Sequence, residues 1–336
     1  MKVTERPSLK TLNTFGAEAS AGLMITLENE EDVLTLPRYD AAKDLVLGGG
    51  SNLLLASDVS GTVFLNRIRG RAIVKTDPDY CWIDAGAGEN WHELVRWSLE
   101  NDLSGLENLS LIPGLAGAAP IQNIGAYGVE LASVLDSVTA WDLVNNRWIL
   151  FSNEECRLGY RDSYFKSVEP DRFLITSIRL RLNRVFQPRL NYSGLSDELA
   201  NIETGSASAT DVSNAVMRLR LRKLPDPSRF GNAGSFFKNP VMNESDASEL
   251  KNRFKELPCW KLDDHSVKLS AAWLIESCGL KGLRQGDAGV SEQHALVLVN
   301  YGKASGREIY QLARDIQVAV REKFGIQLEP EPKILQ

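Results

Sequence analysis

Ser235 lies between glycines and a pair of aromatic residues, in the segment 231–240 (GNAGSFFKNP). A hydroxyl group in such a flexible segment suggests a reactive serine. Its neighbours do not form the Gly-x-Ser-x-Gly motif of a hydrolase, and the chain offers three histidines, His92, His265 and His294, as possible bases. The sequence therefore favours a serine that donates a proton over one that attacks an acyl group.

A second chemical feature is the glycine turn Gly48, Gly49 and Gly50, which Ser51 and Asn52 follow. Glycine tolerates positive φ, so successive amide groups can converge on a phosphate, and the two polar side chains add donors. The turn lacks the Gly-x-Gly-x-x-Gly spacing of a dinucleotide-binding helix, and the chain has no Walker sequence. On spacing alone, an ordinary hairpin turn remains an equal alternative.

A third feature is the segment 112–128 (IPGLAGAAPIQNIGAYG), which is rich in glycine and alanine. Such residues let a large, flat ligand approach the backbone, and Gln122 and Asn123 could bind the heteroatoms of a ring. This composition suits a flavin better than a metal ion. A buried structural loop is the alternative interpretation.

Composition limits the classes of function. The chain has 336 residues, of which 43% are hydrophobic and 24% charged, as in globular proteins of two or three packed units. Its net charge of −6 argues against sequence-independent nucleic-acid binding. The first residues do not resemble a signal peptide, and no apolar run is long enough to cross a membrane. We expect a cytoplasmic protein without nucleic-acid or membrane partners.

The four cysteines are far apart and form no Cys-x-x-Cys pair. We therefore expect neither a metal site nor a disulfide framework. The four residues are Cys81, Cys156, Cys259 and Cys278.

The elements that must position these residues follow from hydrophobic periodicity. In the first half, the pattern predicts a helix that opens at Asn90 with Glu93 completing a capping box, followed by a long ordered loop over 108–128. Strands are predicted at 45–47, 53–55, 63–65, 81–85, 134–148 and 172–182, the last with a phase shift that indicates a β-bulge.

In the second half, a helix over 211–221 ends before Pro225, and a domain boundary is expected there. The remaining chain alternates helix and strand. Helices are predicted at 249–257, 271–278 and 305–324, a strand at 294–299 beginning with His294, and an extended tail at 326–332.

Four motifs occur in one order: GGGSN at 48–52, IPGLAGAAPIQNIGAYG at 112–128, GYRDS at 159–163 and GNAGSFFKNP at 231–240. In this the chain resembles the UDP-N-acetylenolpyruvoylglucosamine reductase (MurB) family, from about Asn13 to Glu331. The resemblance implies an α+β fold: an FAD-binding domain of the vanillyl-alcohol-oxidase (PCMH) type plus a smaller α+β substrate-binding domain. These would occupy residues 1–220, with a core at about 15–185, and residues 221–325, with a tail at 326–336 that returns to the active site.

The resemblance also implies an activity. Family members use NADPH and non-covalently bound FAD to reduce UDP-N-acetylglucosamine enolpyruvate to UDP-N-acetylmuramate, for peptidoglycan synthesis and hence cell-wall biogenesis, cell shape, the cell cycle and division. Hydride from flavin N5 leaves a carbanion or enolate that needs a proton, and Ser235 matches the family's proton donor. Arg161 matches the arginine that binds the substrate carboxylate, and Glu331 matches an acid that assists the enol. A monomer is expected.

Two of these assignments have competitors in the sequence. Arg161 could instead be a surface residue or form a salt bridge with Asp162. Glu329 lies two residues before Glu331, and in an extended strand both side chains face the same side, so alternation cannot separate them.

The resemblance assigns further residues to binding. The cofactor set is Gly48, Gly49, Gly50, Ser51, Asn52, Leu53, Ile112, Pro113, Gly114, Gly117, Ala118, Ala119, Gln122, Asn123, Gly125, Arg220 and Lys333. The substrate set is Tyr127, Tyr160, Tyr192, Lys223, Asn239, Trp260 and His294.

Two positions depart from the family pattern. Lys333 stands where many members have arginine. Trp260 stands where one branch carries a tyrosine on a loop that closes over the UDP moiety, and the presence of residues 257–266 favours that branch.

Two other functions fit the sequence less well. A flavin enzyme acting on an alcohol or sugar would commonly attach FAD covalently, but His92 and Cys81 lie in no fitting motif. A binding protein without activity would have no need of a proton donor, so Arg161, Ser235 and Glu331 together argue against it.

Overall fold

The computed structural model describes residues 1–200, 202, 206–262 and 265–336. The chain divides into two compact units. Unit 1 comprises Met1–Pro7, Ala21–Gly50 and Val59–Arg222, and unit 2 comprises Ser8–Ser20, Ser51–Asp58 and Lys223–Gln336. The sequence-based division at residue 220 was contiguous, whereas the structure assigns residues 8–20 and 51–58 to unit 2.

Short strands and helices alternate along the chain. The helices are α1 (Trp91–Glu100), α2 (Leu195–Glu198), α3 (Ala209–Lys223), α4 (Glu244–Arg253), α5 (Ala271–Ser277) and α6 (Gly306–Phe324). The strands are β1 (Lys2–Glu5), β2 (Ala21–Leu27), β3 (Leu45–Leu47), β4 (Leu53–Leu55), β5 (Val59–Asn66), β6 (Arg71–Thr76), β7 (Tyr80–Gly86), β8 (Gly125–Ala126), β9 (Val129–Glu130), β10 (Leu135–Asp142), β11 (Arg147–Ser152), β12 (Phe173–Asn183), β13 (Val241–Asn243), β14 (Cys259–Lys261), β15 (Ser266–Leu269), β16 (Arg284–Gln285), β17 (Ala288–Val290), β18 (Leu298–Asn300) and β19 (Lys333–Leu335).

Unit 1 contains a four-stranded sheet of order β1-β2-β5-β3 and an antiparallel five-stranded sheet of order β11-β10-β12-β7-β6. The phase shift predicted for residues 172–182 is a β-bulge in β12, where this strand pairs with β10. Ser177 lies opposite Thr139 and Ile175 lies opposite Ala140, so Thr176 between them has no direct partner on β10. The prediction of a bulge is confirmed, and its extra residue explains why the apolar alternation changes phase there.

Helix α1 begins as predicted, because the Asn90 side chain accepts a hydrogen bond from the Glu93 amide at 3.0 Å. Its buried face, led by Trp91 and Leu94, packs into the core that also contains the inward side of the five-stranded sheet. The following segment has no long regular element, in agreement with the predicted loop. It consists of three short 3₁₀ turns, Glu107–Leu109, Ala116–Ala118 and Pro120–Gln122, and the small hairpin of β8 and β9.

Unit 2 contains two three-stranded sheets, β13-β15-β14 and β16-β17-β18, and the parallel pair β4 and β19. Helix α6 begins with a capping box between Ser305 and Glu308 and ends at Gly325, whose φ of +74° is the left-handed conformation that glycine adopts readily. The buried face of α6 packs into one core together with Phe236 and Phe237.

Two predicted strands differ from the structure. The predicted strand 134–148 is divided into β10 and β11, because the Asp142 carboxylate accepts hydrogen bonds from the amides of Val144 and Asn145 and closes a turn. The strand predicted to begin at His294 begins at Leu298 instead. The Val297 amide donates to the His294 carbonyl at 3.0 Å, so His294 opens a turn.

None of the helices in the described ranges combines the length and the apolar character that crossing a bilayer requires.

Candidate functional site

In unit 1 the glycine turn lies against the loop 112–119. A Cβ atom on Gly49 would lie 3.2 Å from the Cα of Gly114, and one on Gly48 would lie 3.6 Å from the Leu115 side chain. Arg67 donates from Nη1 to the Gly48 carbonyl at 3.0 Å and holds the turn in place. Burial, aided by the charge of Arg69, lowers the pKa of Arg67. The two backbone segments approach each other closely at Gly49 and Gly114, because neither of these residues carries a side chain.

Gly117 is required for the loop to lie against the end of β7. Its amide donates to the Ala87 carbonyl at 3.0 Å, and an added Cβ would lie only 2.4 Å from the Cβ of Ala87. No side chain fits at this distance, so any residue other than glycine would displace the loop.

These residues fit an FAD group. The turn at 48–50 and the loop at 112–119 present main-chain amides and small side chains, which is the donor set that suits a phosphate and a flat ring. The predicted cofactor residues differ in exposure. Gly48, Gly49, Ser51, Asn52, Ile112, Gly114, Gly117, Gln122, Gly125 and Arg220 are partly exposed, Pro113, Ala118 and Lys333 are more exposed, and Gly50, Leu53, Ala119 and Asn123 are buried.

Asn123 has partners within the protein on both sides of its amide group. Its Nδ2 donates to Glu130 Oε2 at 2.8 Å and to the Gly159 carbonyl at 3.0 Å, while its Oδ1 accepts from the Ala132 amide at 3.0 Å. Its φ of +44° is left-handed. The side chain therefore links the loop to the start of the GYRDS segment, and the ring contact that the sequence suggested for it stays a prediction.

Arg161 also has a left-handed backbone, with φ of +52°. Its Nη2 donates to the Gly125 carbonyl at 2.8 Å, and its guanidinium carbon lies 5.7 Å from the centre of the Tyr160 ring. Asp162, the competing partner proposed from the sequence, accepts hydrogen bonds from the Ser163 amide and the Ser167 hydroxyl. Arg161 is thus tied to the loop that contains Gly125.

Arg220 on α3 lies in the same region of unit 1. Burial lowers the pKa of Arg220, and the nearby charge of Arg161 lowers it further, whereas Tyr127 and Tyr192 act in the opposite direction. The rings of Tyr127 and Tyr192 pack edge to face, with centres 4.8 Å apart. Unit 1 therefore gathers two half-buried arginines and two tyrosines, an arrangement that attracts an anionic group.

In unit 2, backbone hydrogen bonds connect the Ser235 segment to two others. Ser235 forms an antiparallel bridge with Val297, and the Phe236 amide donates to the Leu296 carbonyl at 2.7 Å. The Phe236 carbonyl accepts from the Glu331 amide at 2.8 Å. Phe236 and Phe237 have no exposed surface, so the aromatic pair anchors the segment in the core and leaves Ser235 half-exposed.

The structure separates Glu331 from Glu329. Glu331 is 9% exposed, and its carbonyl accepts from Asn52 Nδ2 at 3.2 Å. The Glu329 side chain is 70% exposed and forms a salt bridge with Lys238, Nζ to Oε2, at 3.3 Å. Although alternation gives both residues the same side, only Glu331 is enclosed beside the Ser235 segment.

The parallel pairing of β4 and β19 brings Lys333 opposite Leu53. The Lys333 amide donates to the Asn52 carbonyl at 3.1 Å, and the Leu53 side chain is 5% exposed. Asn52 thus binds both Glu331 and Lys333, so the segment after the glycine turn fixes the C-terminal tail.

The predicted substrate residues of unit 2 lie in different environments. Asn239 accepts from the Ala271 amide at 3.0 Å, and Lys223 is exposed. Trp260 is 48% exposed, with the ammonium of Lys268 5.9 Å from the centre of its ring. Asp263 and Asp264, in the predicted closing loop, lie outside the described residues.

The imidazole of His294 accepts from the Leu296 amide, at 3.3 Å from Nδ1. Burial, followed by the charges of Lys223 and Lys281, lowers the pKa of His294. These influences favour the neutral form of His294, which lies next to the backbone that pairs with the Ser235 segment.

Asn108 is a site residue that the sequence did not identify. Its Nδ2 donates to the carbonyls of Tyr127 at 2.8 Å and Arg189 at 2.9 Å, so it fixes the chain on both sides of the tyrosine pair. Asn108 opens the predicted loop, but neither periodicity nor a local motif indicates that its partners lie far along the chain.

Two family models match the chain. Residues 226–335 match the C-terminal domain of UDP-N-acetylenolpyruvoylglucosamine reductase, and residues 21–147 match an FAD binding domain.

Individual relatives match over nearly the whole chain. UDP-N-acetylenolpyruvoylglucosamine reductase of Xanthomonas oryzae pv. oryzae (strain PXO99A) is 46% identical over 338 residues, covering 99% of this chain and 96% of the relative. That of Flavobacterium johnsoniae is 42% identical over 337 residues, covering 100% of both chains. The crystal structure of the reductase from Thermus caldophilus has a TM-score of 0.68 and 28% identity, again with 100% of both chains covered. These matches and the mixed helix and strand content confirm the predicted fold class.

Proposed function

The chain belongs to the UDP-N-acetylenolpyruvoylglucosamine reductase family, a family of flavin-dependent oxidoreductases, and from this we propose that it reduces UDP-N-acetylglucosamine enolpyruvate to UDP-N-acetylmuramate with NADPH as reductant. The observation that best supports the proposal is the hydrogen bond between the Glu331 amide and the Phe236 carbonyl. It joins two sequence-distant segments, and thereby places an enclosed carboxyl group next to the segment of a half-exposed serine.

The cofactor would be held by the glycine turn and the loop 112–125. The amides of Gly48, Gly49 and Gly50, with the side chains of Ser51 and Asn52, would bind phosphate oxygens, and Arg220 would add positive charge. When bound, FAD supplies the hydride-transfer chemistry. Gly114 and Gly117 would give a flat ring access to the backbone, and Gln122 would supply polar contacts at its edge.

Ser235 would supply the proton. Reduction adds hydride to the terminal carbon of the enolpyruvyl group and a proton to the carbon beside the carboxylate, while NADPH is oxidised to NADP⁺. A serine hydroxyl is a weak acid, but a carbanion or enolate is basic enough to take its proton. The two backbone contacts around Ser235 and Phe236 would keep the hydroxyl at a fixed position, which proton transfer to carbon requires.

Arg161 and Glu331 would act at the substrate carboxylate. A guanidinium group binds a carboxylate through two parallel hydrogen bonds and stabilises negative charge that develops on its oxygens. The bond from Arg161 to the Gly125 carbonyl orients that group. Glu331 would hydrogen-bond the enol oxygen, which is consistent with its low exposure.

The rest of the substrate would bind through aromatic and polar side chains. Tyr127, Tyr160 and Tyr192 offer rings and hydroxyl groups beside the arginine pair. In unit 2, Lys223 offers a charge for the diphosphate, Asn239 and His294 offer polar groups, and Trp260 offers an exposed ring for the uracil.

The physiological setting would be peptidoglycan precursor synthesis, and hence cell-wall biogenesis, cell shape, the cell cycle and division. We propose a monomer in the cytoplasm, where the nucleotide-sugar substrate and NADPH are present.

The test is a two-step anaerobic titration of the purified protein. We expect bound FAD to colour the protein yellow, NADPH to bleach it, and UDP-N-acetylglucosamine enolpyruvate to restore the colour with formation of UDP-N-acetylmuramate. Failure of the colour to return would overturn the proposed substrate, and failure of NADPH to bleach the protein would overturn the proposed reductant.

A further inference from the structure

Several non-glycine residues in and around the loop 108–128 have left-handed backbones. Leu111 has a φ of +59°, Asn123 +44° and Tyr127 +50°. Leucine disfavours this conformation, because its Cβ atom crowds the backbone there. Asn123 tolerates it better, because asparagine visits the left-handed region more often than most residues do. Leu111 and Tyr127 therefore both need an outside constraint, and the Tyr127 carbonyl has one in its hydrogen bond from Asn108 Nδ2.

The constraint on Leu111 comes from helix α1. The Leu111 amide donates to Nδ1 of His92 at 3.1 Å. Because an amide can only donate, Nδ1 must carry no proton, and the proton of a neutral imidazole is then on Nε2. Leu111 immediately precedes Ile112 and Pro113, so this single hydrogen bond lies where the chain enters the proposed FAD-binding loop.

We propose that His92 is a positioning residue, whose neutral imidazole holds Leu111 in the left-handed conformation from which the FAD-binding loop begins. The inference rests on the proposed function, because it assumes that residues 112–125 bind FAD. Protonation of Nδ1 removes the acceptor, so an imidazolium cannot make this bond. His92 thereby links the shape of the loop to pH.

The surroundings of His92 favour the neutral form. Burial lowers the pKa of His92, and the charges of Arg96 on α1 and Arg220 on α3 lower it further, while Glu93 raises it. Because the folded pKa is below the unfolded one, the stability that this hydrogen bond contributes is fully present above the unfolded pKa and is lost as pH falls through the folded pKa. FAD affinity is therefore expected to weaken on the acid side of neutrality.

The test is a double-mutant cycle on FAD affinity, measured by flavin fluorescence with the full-length chain. We expect His92→Leu to weaken FAD binding roughly tenfold, because the hydrogen bond is lost and Leu111 leaves the left-handed region. In the Leu111→Gly background the same substitution should weaken binding by only about threefold or less, because glycine adopts this conformation without help. An equal loss in both backgrounds would overturn the inference.

A conservative variant distinguishes loss of the hydrogen-bond acceptor at residue 92 from a general disturbance of the fold. In His92→Asn the amide Oδ1 takes the place of Nδ1, so most of the affinity at pH 8 should be retained, but the dependence on pH between 5 and 8 should be smaller than in the wild type. His265→Asn changes an exposed histidine, whose φ is also left-handed, and should leave the wild-type pH dependence intact. If His92→Asn keeps the full pH dependence, His92 is not the titrating group and the inference is wrong.

These outcomes are distinct from failure of the proposed function. A wild-type chain that binds no FAD at any pH would contradict the proposed function. A wild-type chain that binds FAD but shows no coupling between His92 and Leu111 would contradict only the inference.

Discussion

The two units hold their candidate site residues in different ways. In unit 1, Arg161 and Arg220 carry guanidinium groups that lie near one another, and Arg220 also lies near Tyr127. In unit 2, Ser235 and Glu331 lie on segments joined by backbone hydrogen bonds, with the buried pair Phe236 and Phe237 as the anchor. One unit presents fixed positive charge, whereas the other presents groups that can exchange a proton.

The difference indicates that unit 1 must orient a charged group, whereas unit 2 must fix the position of a hydroxyl group. A guanidinium stays charged at any ordinary pH, so unit 1 needs only to orient it, and single contacts such as Arg161 to the Gly125 carbonyl achieve this. The proposed proton donor Ser235 must be placed accurately for transfer to carbon, and the backbone contacts of Ser235 with Val297 and of Phe236 with Leu296 hold its segment in place. Substitutions in unit 2 should therefore affect the proton-transfer step, and substitutions in unit 1 should affect binding and charge.

The largest effect is expected from Ser235→Ala. Removal of the hydroxyl should slow substrate reduction by roughly 10²- to 10⁴-fold, which is the usual contribution of a positioned acid, and should leave bleaching by NADPH nearly unchanged. Stopped-flow absorbance under anaerobic conditions measures the two steps separately. Ser248→Ala, at an exposed position of α4, is the matched control and should retain both steps. Equal loss of both steps in Ser235→Ala would mean that the serine has a structural role.

The next effect concerns the cationic region of unit 1. Arg161→Lys keeps the charge but loses the planar fork, so we expect kcat/KM for the enolpyruvyl substrate to fall by roughly 10- to 100-fold. Arg157→Lys is a close control, because Arg157 is exposed and its φ of +44° is also left-handed. Steady-state kinetics of both variants measures kcat/KM for the enolpyruvyl substrate. Equal values for Arg161→Lys and Arg157→Lys would remove Arg161 from the proposed mechanism.

A smaller effect is expected at the two glutamates of the C-terminal tail. Glu331→Gln should lower kcat by roughly tenfold rather than more, because an amide can still donate a hydrogen bond to the enol oxygen. Glu329→Gln breaks only an exposed salt bridge with Lys238 and should change kcat by about twofold at most. The reverse ranking would show that Glu329 is the functional acid.

The smallest effect is a dependence of stability on pH in unit 2. The folded pKa of His294 is lowered by burial and by Lys223 and Lys281, so its contribution to stability is complete above the unfolded pKa and is lost as pH falls through the folded value. In His294→Asn an amide oxygen can still accept from Leu296, so the melting temperature should fall less between pH 7 and pH 5 than in the wild type. Calorimetry at pH 7 and pH 5 measures both melting temperatures. An equal decrease in the wild type and in His294→Asn would contradict the prediction.

Local patterns in the sequence were sufficient for much of the fold. The capping residues Asn90 and Ser305, the bulge in β12 and the irregular loop at 108–128 depend on neighbouring residues, so they could be predicted without knowledge of the rest of the chain. His294 could not be placed correctly. Its apolar neighbours indicated a strand, but a hydrogen bond from Val297 to its carbonyl closes a turn instead.

Contacts between distant segments could not be predicted in this way. No pattern along the sequence indicates that Asn108 reaches the Tyr127 carbonyl, or that the His92 imidazole accepts the Leu111 amide. The same limit applies to the units, since residues 8–20 and 51–58 pack with the C-terminal part of the chain although they lie inside its N-terminal half.

The sequence by itself determined the kinds of chemical group available and the order of the four motifs that indicate the family, because motif spacing is a property of the covalent chain. The motif favoured Glu331 over Glu329, but only the tertiary structure showed that their surroundings differ, although both share one side of an extended segment. Whether a side chain on that side is buried depends on which distant segment of the chain packs against it. Pairing of Glu331 with Phe236 buries one carboxyl group, while Lys238 holds the other at the surface.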